Sequence, residues 1–317
     1  MVRKSPAKPE KIRFFWSPSK PMFSRAQEFL RLLLARKEEM HRACSLRPGP
    51  DMITETVHIG RVPTLIVRPK NPVPHPPGVL WIHGGGYMLG MKEMVYMGRA
   101  ADLVRTFGAV VVSPGYRLSW QKPYPAALED CCAVLACMKD HALDLGFRRD
   151  QIMVGGESAG GGLAAAVCLK ARDEGLAHVA FQMPLYPMLS CMDTESSKDN
   201  HGKVWNTRKN QLGWRLYLRR KPGNDVSHYA SPSIATDLAG LPPCYTFVGD
   251  GEPFYCETLD YVRRLKEAGI RAQADVYPTN VHAFDMMRPK EEIAKDATAA
   301  FQRQFEYALG HDFANNP

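Results

Sequence analysis

A serine framed by glycines at a strand-to-helix junction restricts this chain more than any other feature. Residues Gly156-Glu157-Ser158-Ala159-Gly160 follow an apolar run at 151–154 and lead into a small-residue stretch at 161–175. That order predicts a strand, a sharp turn and a helix. Small residues on both sides let strand and helix approach, and the turn lifts the serine Oγ above the sheet. The surrounding chain supplies the sheet such a turn needs. Apolar runs at 54–59, 64–68, 79–83, 109–113, 151–154, 180–185, 245–248 and 274–277 read as strands. Helical patterns at 126–141, 161–175 and 255–268 alternate with them, the last stopped by Gly269. The alternation predicts an α/β fold with a mostly parallel sheet.

Two segments break that alternation: residues 1–50 and roughly 190–229. The first shows an approximate apolar face through Phe23, Leu30, Leu33, Leu34 and Met40, behind a capping pair at Ser24 and Gln27. The second carries a basic helical pattern at 205–220. An excursion of this length inside a compact domain predicts a lid or a binding wall. The chain thus divides into a body, 51–189 and 230–317, and two extra pieces. Charge follows the same division. Lys and Arg number 41 against 33 Asp and Glu, and 12 of those cations but only 4 of the anions lie in residues 1–50. Residues 201–221 add 7 cations and no anions. Charge gathered on two segments over an otherwise neutral or acidic body argues against a nucleic-acid-binding protein.

Other classes fall to simple arguments. Apolar residues make up 45% of the chain, enough for a buried core and too many for whole-chain disorder. Residues 1–20 have no apolar core, so they do not form a secretory signal. The run at 29–35 is short and broken by Arg31, so no stable membrane insertion is expected. The 8 cysteines lack metal-ligand spacing, and Cys131 and Cys132 read as buried on a helix. Free thiols fit a cytoplasmic protein. Met88, Met91, Met94 and Met97, three apart, read as a core-facing helix face, with an apolar ligand pocket as the sharper reading.

Chemistry gathers around Ser158. His83-Gly84-Gly85-Gly86 follows the strand at 79–83, and three successive glycines mark a backbone that approaches something closely. For acyl transfer that is a tetrahedral oxyanion, held by amides of this loop and of Ala159. The spacing lacks the glycine and lysine pattern of a phosphate loop. A serine nucleophile needs a base and a carboxylate to orient it. His282, beyond the strand at 274–277, fits the base. Asp250 and Glu252 both follow the strand at 245–248, and spacing does not choose between them.

Taken together these motifs resemble the hormone-sensitive-lipase-like esterases, family IV of the bacterial lipolytic enzymes, within the α/β-hydrolase fold. The resemblance runs from about residue 60 to residue 290. It includes Tyr116-Arg117-Leu118, the segment from Tyr124 to Asp130, Ser231-Pro232, the stretch from Leu238 to Pro243, and His282-Ala283-Phe284. It implies a serine carboxylesterase acting on a small-molecule ester of short to medium acyl chain, with no metal or organic cofactor. It places the triad on Ser158, His282 and Glu252, where the family more often has Asp. It puts the oxyanion hole on Gly85, Gly86 and Ala159, and substrate contacts on His83, Gly84, Tyr87, Glu157 and Trp205. Residues 1–50 and 190–229 become a two-part cap, and a homodimer is allowed. Ser119-Trp120-Gln121 departs from the family's usual Ala-Pro-Glu, leaving Arg117 and Asp130 free for a local ion pair. A receptor that has lost catalysis and an amidase or peptidase remain alternatives on the same fold.

Overall fold

The computed structural model describes residues 46–223 and 225–316. The predicted first cap piece lies outside the described residues except for its last five positions. From Cys44 onward the chain forms one compact unit, in which residues 190–229 are not a separate body. Eight strands are present in the described residues: β1 (Met52–Ile59), β2 (Val62–Pro69), β3 (Gly78–Ile82), β4 (Val110–Pro114), β5 (Ile152–Glu157), β6 (Phe181–Leu185), β7 (Cys244–Gly249) and β8 (Ala272–Tyr277). They form one sheet in the order β1-β2-β4-β3-β5-β6-β7-β8. β1 pairs antiparallel with β2, and β2 with β4; every later neighbour is parallel.

Burial follows from position. β3 to β7 are buried at every residue, as strands covered on both faces must be, and their sequences are mostly apolar. β1, at one edge, mixes exposed and buried residues and turns into β2 through Gly60 at φ +57°. Helices cover both faces. α1 (Arg99–Phe107) and α6 (Glu292–His311) share one core with Trp81, Val111 and Phe247. α2 (Ala126–Asp140), α3 (Ala159–Glu174) and α5 (Tyr255–Glu267) share the other with Leu80, Val112 and Val154. All eight predicted strands and the three helices of the body are found. α3 ends at Gly175 in the left-handed conformation, φ +63°.

The topology explains why motifs about 70 residues apart meet. β3 and β5 are neighbours in register, with Ile82 opposite Gly156, so His83 and Ser158 leave the sheet side by side. From this pair the chain winds outward in both directions, and α/β folds place ligands outside the carboxyl ends of strands at such a switch point. Glycine permits the fit. A Cβ on Gly160 would lie 2.0 Å from the Ile82 carbonyl oxygen, so α3 could not start so close to β3 with any larger residue.

Between β6 and β7 the chain makes its long excursion, and α4 (Thr207–Leu218) lies within it. Asn206 caps α4, its side chain accepting from the Lys209 amide at 3.1 Å. Asn210, Gly213, Trp214 and Tyr217 form its buried face. Glu257 pins the start of the excursion by accepting from the amides of Leu189 (2.6 Å) and Ser190 (3.1 Å). The Arg117–Asp130 pair is present and bidentate, with both contacts at 2.8 Å. Cys131 and Cys132 are buried, and burial pushes both thiols up, Cys132 to about 12.

The methionine row needs correction. Lys92–Tyr96 is one short 3₁₀ helix, flanked by Met91 and Met97, not a core α-helix. Met88 and Met91 are buried, whereas Met97 is 39% exposed. Spacing by three matches a 3₁₀ turn, which is too short to bury a continuous face.

Candidate active site

Ser158 lies at the N-cap of α3 with φ 58° and ψ −119°, a conformation that costs a non-glycine residue energy. The surrounding hydrogen bonds hold it there. Its amide donates to the Leu185 carbonyl at 3.0 Å, and its carbonyl accepts from Gly162 and Met188. The hydroxyl is thereby fixed 2.8 Å from His282 Nε2. His282 stands on the loop after β8. Tyr186 and Phe254 pack edge-on against its ring at 5.2 and 5.1 Å between centroids.

The other ring nitrogen, Nδ1, meets Glu252 Oε2. A carboxylate there keeps the proton on Nδ1 and leaves Nε2 to accept from the serine. Glu252 is fully buried, and its second oxygen accepts from the Gly249 amide at 2.7 Å. Asp250 points out of the site, is exposed, and accepts from the Thr279 amide at 3.0 Å. The structure therefore brings Ser158, His282 and Glu252 together and leaves Asp250 aside.

The glycine loop lies beside them. A Cβ on Gly84 would stand 2.8 Å from the Glu157 carbonyl oxygen and 3.3 Å from Ser158 Cβ. Gly85 has φ +118°, and a Cβ there would meet the Leu89 carbonyl oxygen at 2.3 Å. The amides of Gly85 and Gly86 have no hydrogen-bond partner among the described residues. Ala159, as the first residue of α3, presents an amide that no turn of its own helix can satisfy. Trp205 roofs this loop. A Cβ on Gly86 would touch its ring at 2.1 Å, and its centroid lies 6.4 Å from that of His282.

Three predicted substrate contacts have their side chains engaged inside the protein. His83 is stacked on Tyr116 at 4.2 Å, and its Nδ1 lies 2.9 Å from the Gly84 carbonyl oxygen. Tyr87 stacks on Tyr217 at 4.0 Å and donates to the Met188 carbonyl, tying the loop to α4. Glu157 alternates with Ser158 along the chain, so its side chain enters the core on the α1 side and accepts from Trp81 Nε1 at 2.8 Å. These side chains shape the loop and the turn; Trp205 and Gly84 are the predicted contacts that stay beside the reacting groups. Tyr186 and Phe254, which hold the His282 ring, were not singled out from the sequence. Phe254 sits two residues after Glu252 and could have been found from that spacing, whereas Tyr186 carries no sequence signal.

Glu157 belongs to a buried polar group beneath the serine. Arg99 reaches Asp285 at 3.3 Å and Asp102 at 3.2 Å, leaving three acids around one guanidinium. Burial, reinforced by the nearby Asp285, pushes the Glu157 carboxyl up to about 8, against the lowering effects of Trp81 and Arg99. Its folded-state pKa thus lies above its unfolded value of about 4.5. The stability it contributes is complete below the unfolded value and is lost as pH rises towards 8, because the folded state keeps a proton that the unfolded chain releases. Glu157→Gln keeps an acceptor for Trp81 and cannot ionise. Its Tm relative to wild type is expected to rise as pH is raised from about 5 to about 8. Parallel Tm curves over that range would contradict a protonated Glu157.

Comparison with known proteins decides the family. The model of the α/β hydrolase fold matches residues 79–286. The chain belongs to that family. Its resemblance to the hormone-sensitive-lipase-like esterases is carried by the relatives as well. It is 29% identical to the carboxylic ester hydrolase LipN of Mycobacterium tuberculosis, over 80% of this chain and 70% of that protein. It is 32% identical to the carboxylesterase NlhH of the same species, over 69% of this chain and 68% of that protein. Among solved structures, a bacterial heroin esterase superposes with a TM-score of 0.80 at 31% identity, covering 87% of this chain and 92% of that one. Among the described residues of this α/β hydrolase, no helix is long and apolar enough to cross a membrane.

Proposed function

We propose that the protein is a serine carboxylesterase that works through an acyl-enzyme. The observation that carries this reading is the unbroken line from the strained Ser158 through His282 to the buried Glu252. Ser158 Oγ attacks the ester carbonyl carbon while His282 Nε2 takes its proton. Glu252 stabilises the imidazolium and keeps its orientation. The carbonyl oxygen becomes an oxyanion held by the amides of Gly85, Gly86 and Ala159, with the N-terminus of α3 adding positive potential. His282 then gives the proton to the departing alkoxide, and the alcohol leaves. Water, deprotonated by the same nitrogen, attacks the acyl carbon and regenerates Ser158 as the acid departs.

Residues 190–229, through Trp205, form the wall that covers the loop. A bulky indole against Gly86 limits the room beside the acyl carbon, which favours short and medium chains. The names of the relatives support the ester class. A receptor has no use for a strained serine held on a base, which disfavours the non-catalytic reading.

The test is a panel of p-nitrophenyl esters from acetate to palmitate beside aminoacyl p-nitroanilides. Acetate to hexanoate should give the highest kcat/KM, with palmitate at least about tenfold lower and anilides lower still. Anilides matching the esters would move the assignment to an amidase. Absence of turnover on every ester would overturn it.

A further inference from the structure

The outward face of α4 carries a row of cations that no carboxylate among the described residues neutralises. Arg208, Arg215 and Arg219 are exposed, with Leu212 at 38% exposure between the first two. Spacings of four and three residues put Arg208, Leu212 and Arg215 on one side of the helix, and Arg219 follows as the left-handed cap just past its end, about 16 Å from Arg208 along the axis. Lys221 extends it at the C-terminal end, whereas Arg220 is paired with Asp225 at 2.9 Å. Elsewhere among the described residues most arginines are ion-paired, from Arg68 with Glu55 through Arg117 with Asp130 to Arg288 with Glu291. Arg208 and Arg215 on α4, and Arg219 just past its end, have no carboxylate of the described residues within ion-pair distance. The face behind them is fixed in place, since Trp214 and Tyr217 are buried against Tyr87 and Gly213 lies against Gly86.

We propose that this row is a docking surface for an anionic lipid interface, which would seat the protein with α4 against the headgroups. A row of guanidiniums 16 Å long suits an extended field of negative charge better than one small anion. Leu212, an apolar side chain among the cations, can enter the acyl boundary, as on helices that lie in an interface. A nucleic acid fits less well. Base stacking needs exposed aromatic rings, and Trp205, Trp214 and Tyr217 are buried. Docking through α4 would bring the wall over the glycine loop next to a surface where apolar esters collect. The binding itself does not depend on the catalytic reading.

The experiment is co-flotation of the full chain with ether-linked vesicles, which an esterase cannot cleave. Phosphatidylcholine alone is compared with the same lipid containing about 30 mol % phosphatidylglycerol. Binding should be confined to the anionic vesicles and should fall at least about tenfold between roughly 0.02 and 0.5 M salt. Arg208→Glu/Arg215→Glu/Arg219→Glu should lose at least about tenfold in vesicle affinity, while hydrolysis of a soluble neutral ester stays near wild type. Arg208→Lys/Arg215→Lys/Arg219→Lys, which keeps the charge, should retain binding and guards against a folding defect. Equal binding by the charge-reversed and wild-type proteins would overturn the proposal, since it would place the contact elsewhere, such as the basic residues 1–50. Binding to a DNA duplex but not to anionic vesicles would overturn it too.

Discussion

Ser158→Ala is expected to lower kcat on p-nitrophenyl butyrate by about four to six orders of magnitude, with KM changed little. Alanine keeps the Cβ and the backbone bonds to Leu185, Gly162 and Met188, so the turn should survive. What disappears is the oxygen 2.8 Å from His282 Nε2, and with it the covalent route. Any residual rate would come from the oxyanion amides and from substrate orientation, which do not need the hydroxyl. Thermal unfolding should stay within a few degrees of wild type, because one hydrogen bond is lost and no cavity larger than an oxygen is made. A variant with more than about a tenth of wild-type kcat would show that the serine is not the nucleophile.

Glu252→Gln should cost about three to four orders of magnitude in kcat, whereas Asp250→Asn should cost less than about threefold. The two carboxylates are only two residues apart, yet their surroundings differ completely. Glu252 is enclosed, with one oxygen on the Gly249 amide and the other on His282 Nδ1. An amide in its place can turn its NH₂ towards Nδ1, which favours the tautomer with the proton on Nε2. That nitrogen could then no longer accept from Ser158, so the defect is one of proton placement and not of folding. Asp250 stabilises only the Thr279 amide at the surface. Glu252→Asp gives a graded test: the shorter side chain must draw back from either Gly249 or His282, and an intermediate rate is expected. Equal losses in Glu252→Gln and Asp250→Asn would contradict this assignment.

The sheet was legible because its central strands are buried on both faces and therefore read as mostly apolar runs. Ser158 and the glycine loop were legible because each breaks an ordinary rule of chain composition at a strand end. His282 was legible from chain order together with the strand that precedes it. Glu252 was reached only through the family resemblance, since the spacing alone left Asp250 open, and the turn at Gly249 shows which carboxylate goes inward. Glu157 and Tyr87 misled for a related reason. Proximity in sequence to a reacting residue says nothing of which face a side chain takes, and both enter the core on opposite sides of the sheet. Tyr186, with φ 34° and its ring against His282, had no pattern to announce it. The methionine row misled because a spacing of three fits a single 3₁₀ turn as well as it fits one side of a longer helix.

The account rests on covalent catalysis at Ser158, and mass spectrometry of the protein quenched during turnover tests it most directly. With p-nitrophenyl butyrate in excess, the peptide containing Gly156-Glu157-Ser158-Ala159-Gly160 should gain one butyryl group on Ser158. Steady hydrolysis by wild type with no acyl group on Ser158, or with the group on another residue, would contradict the mechanism.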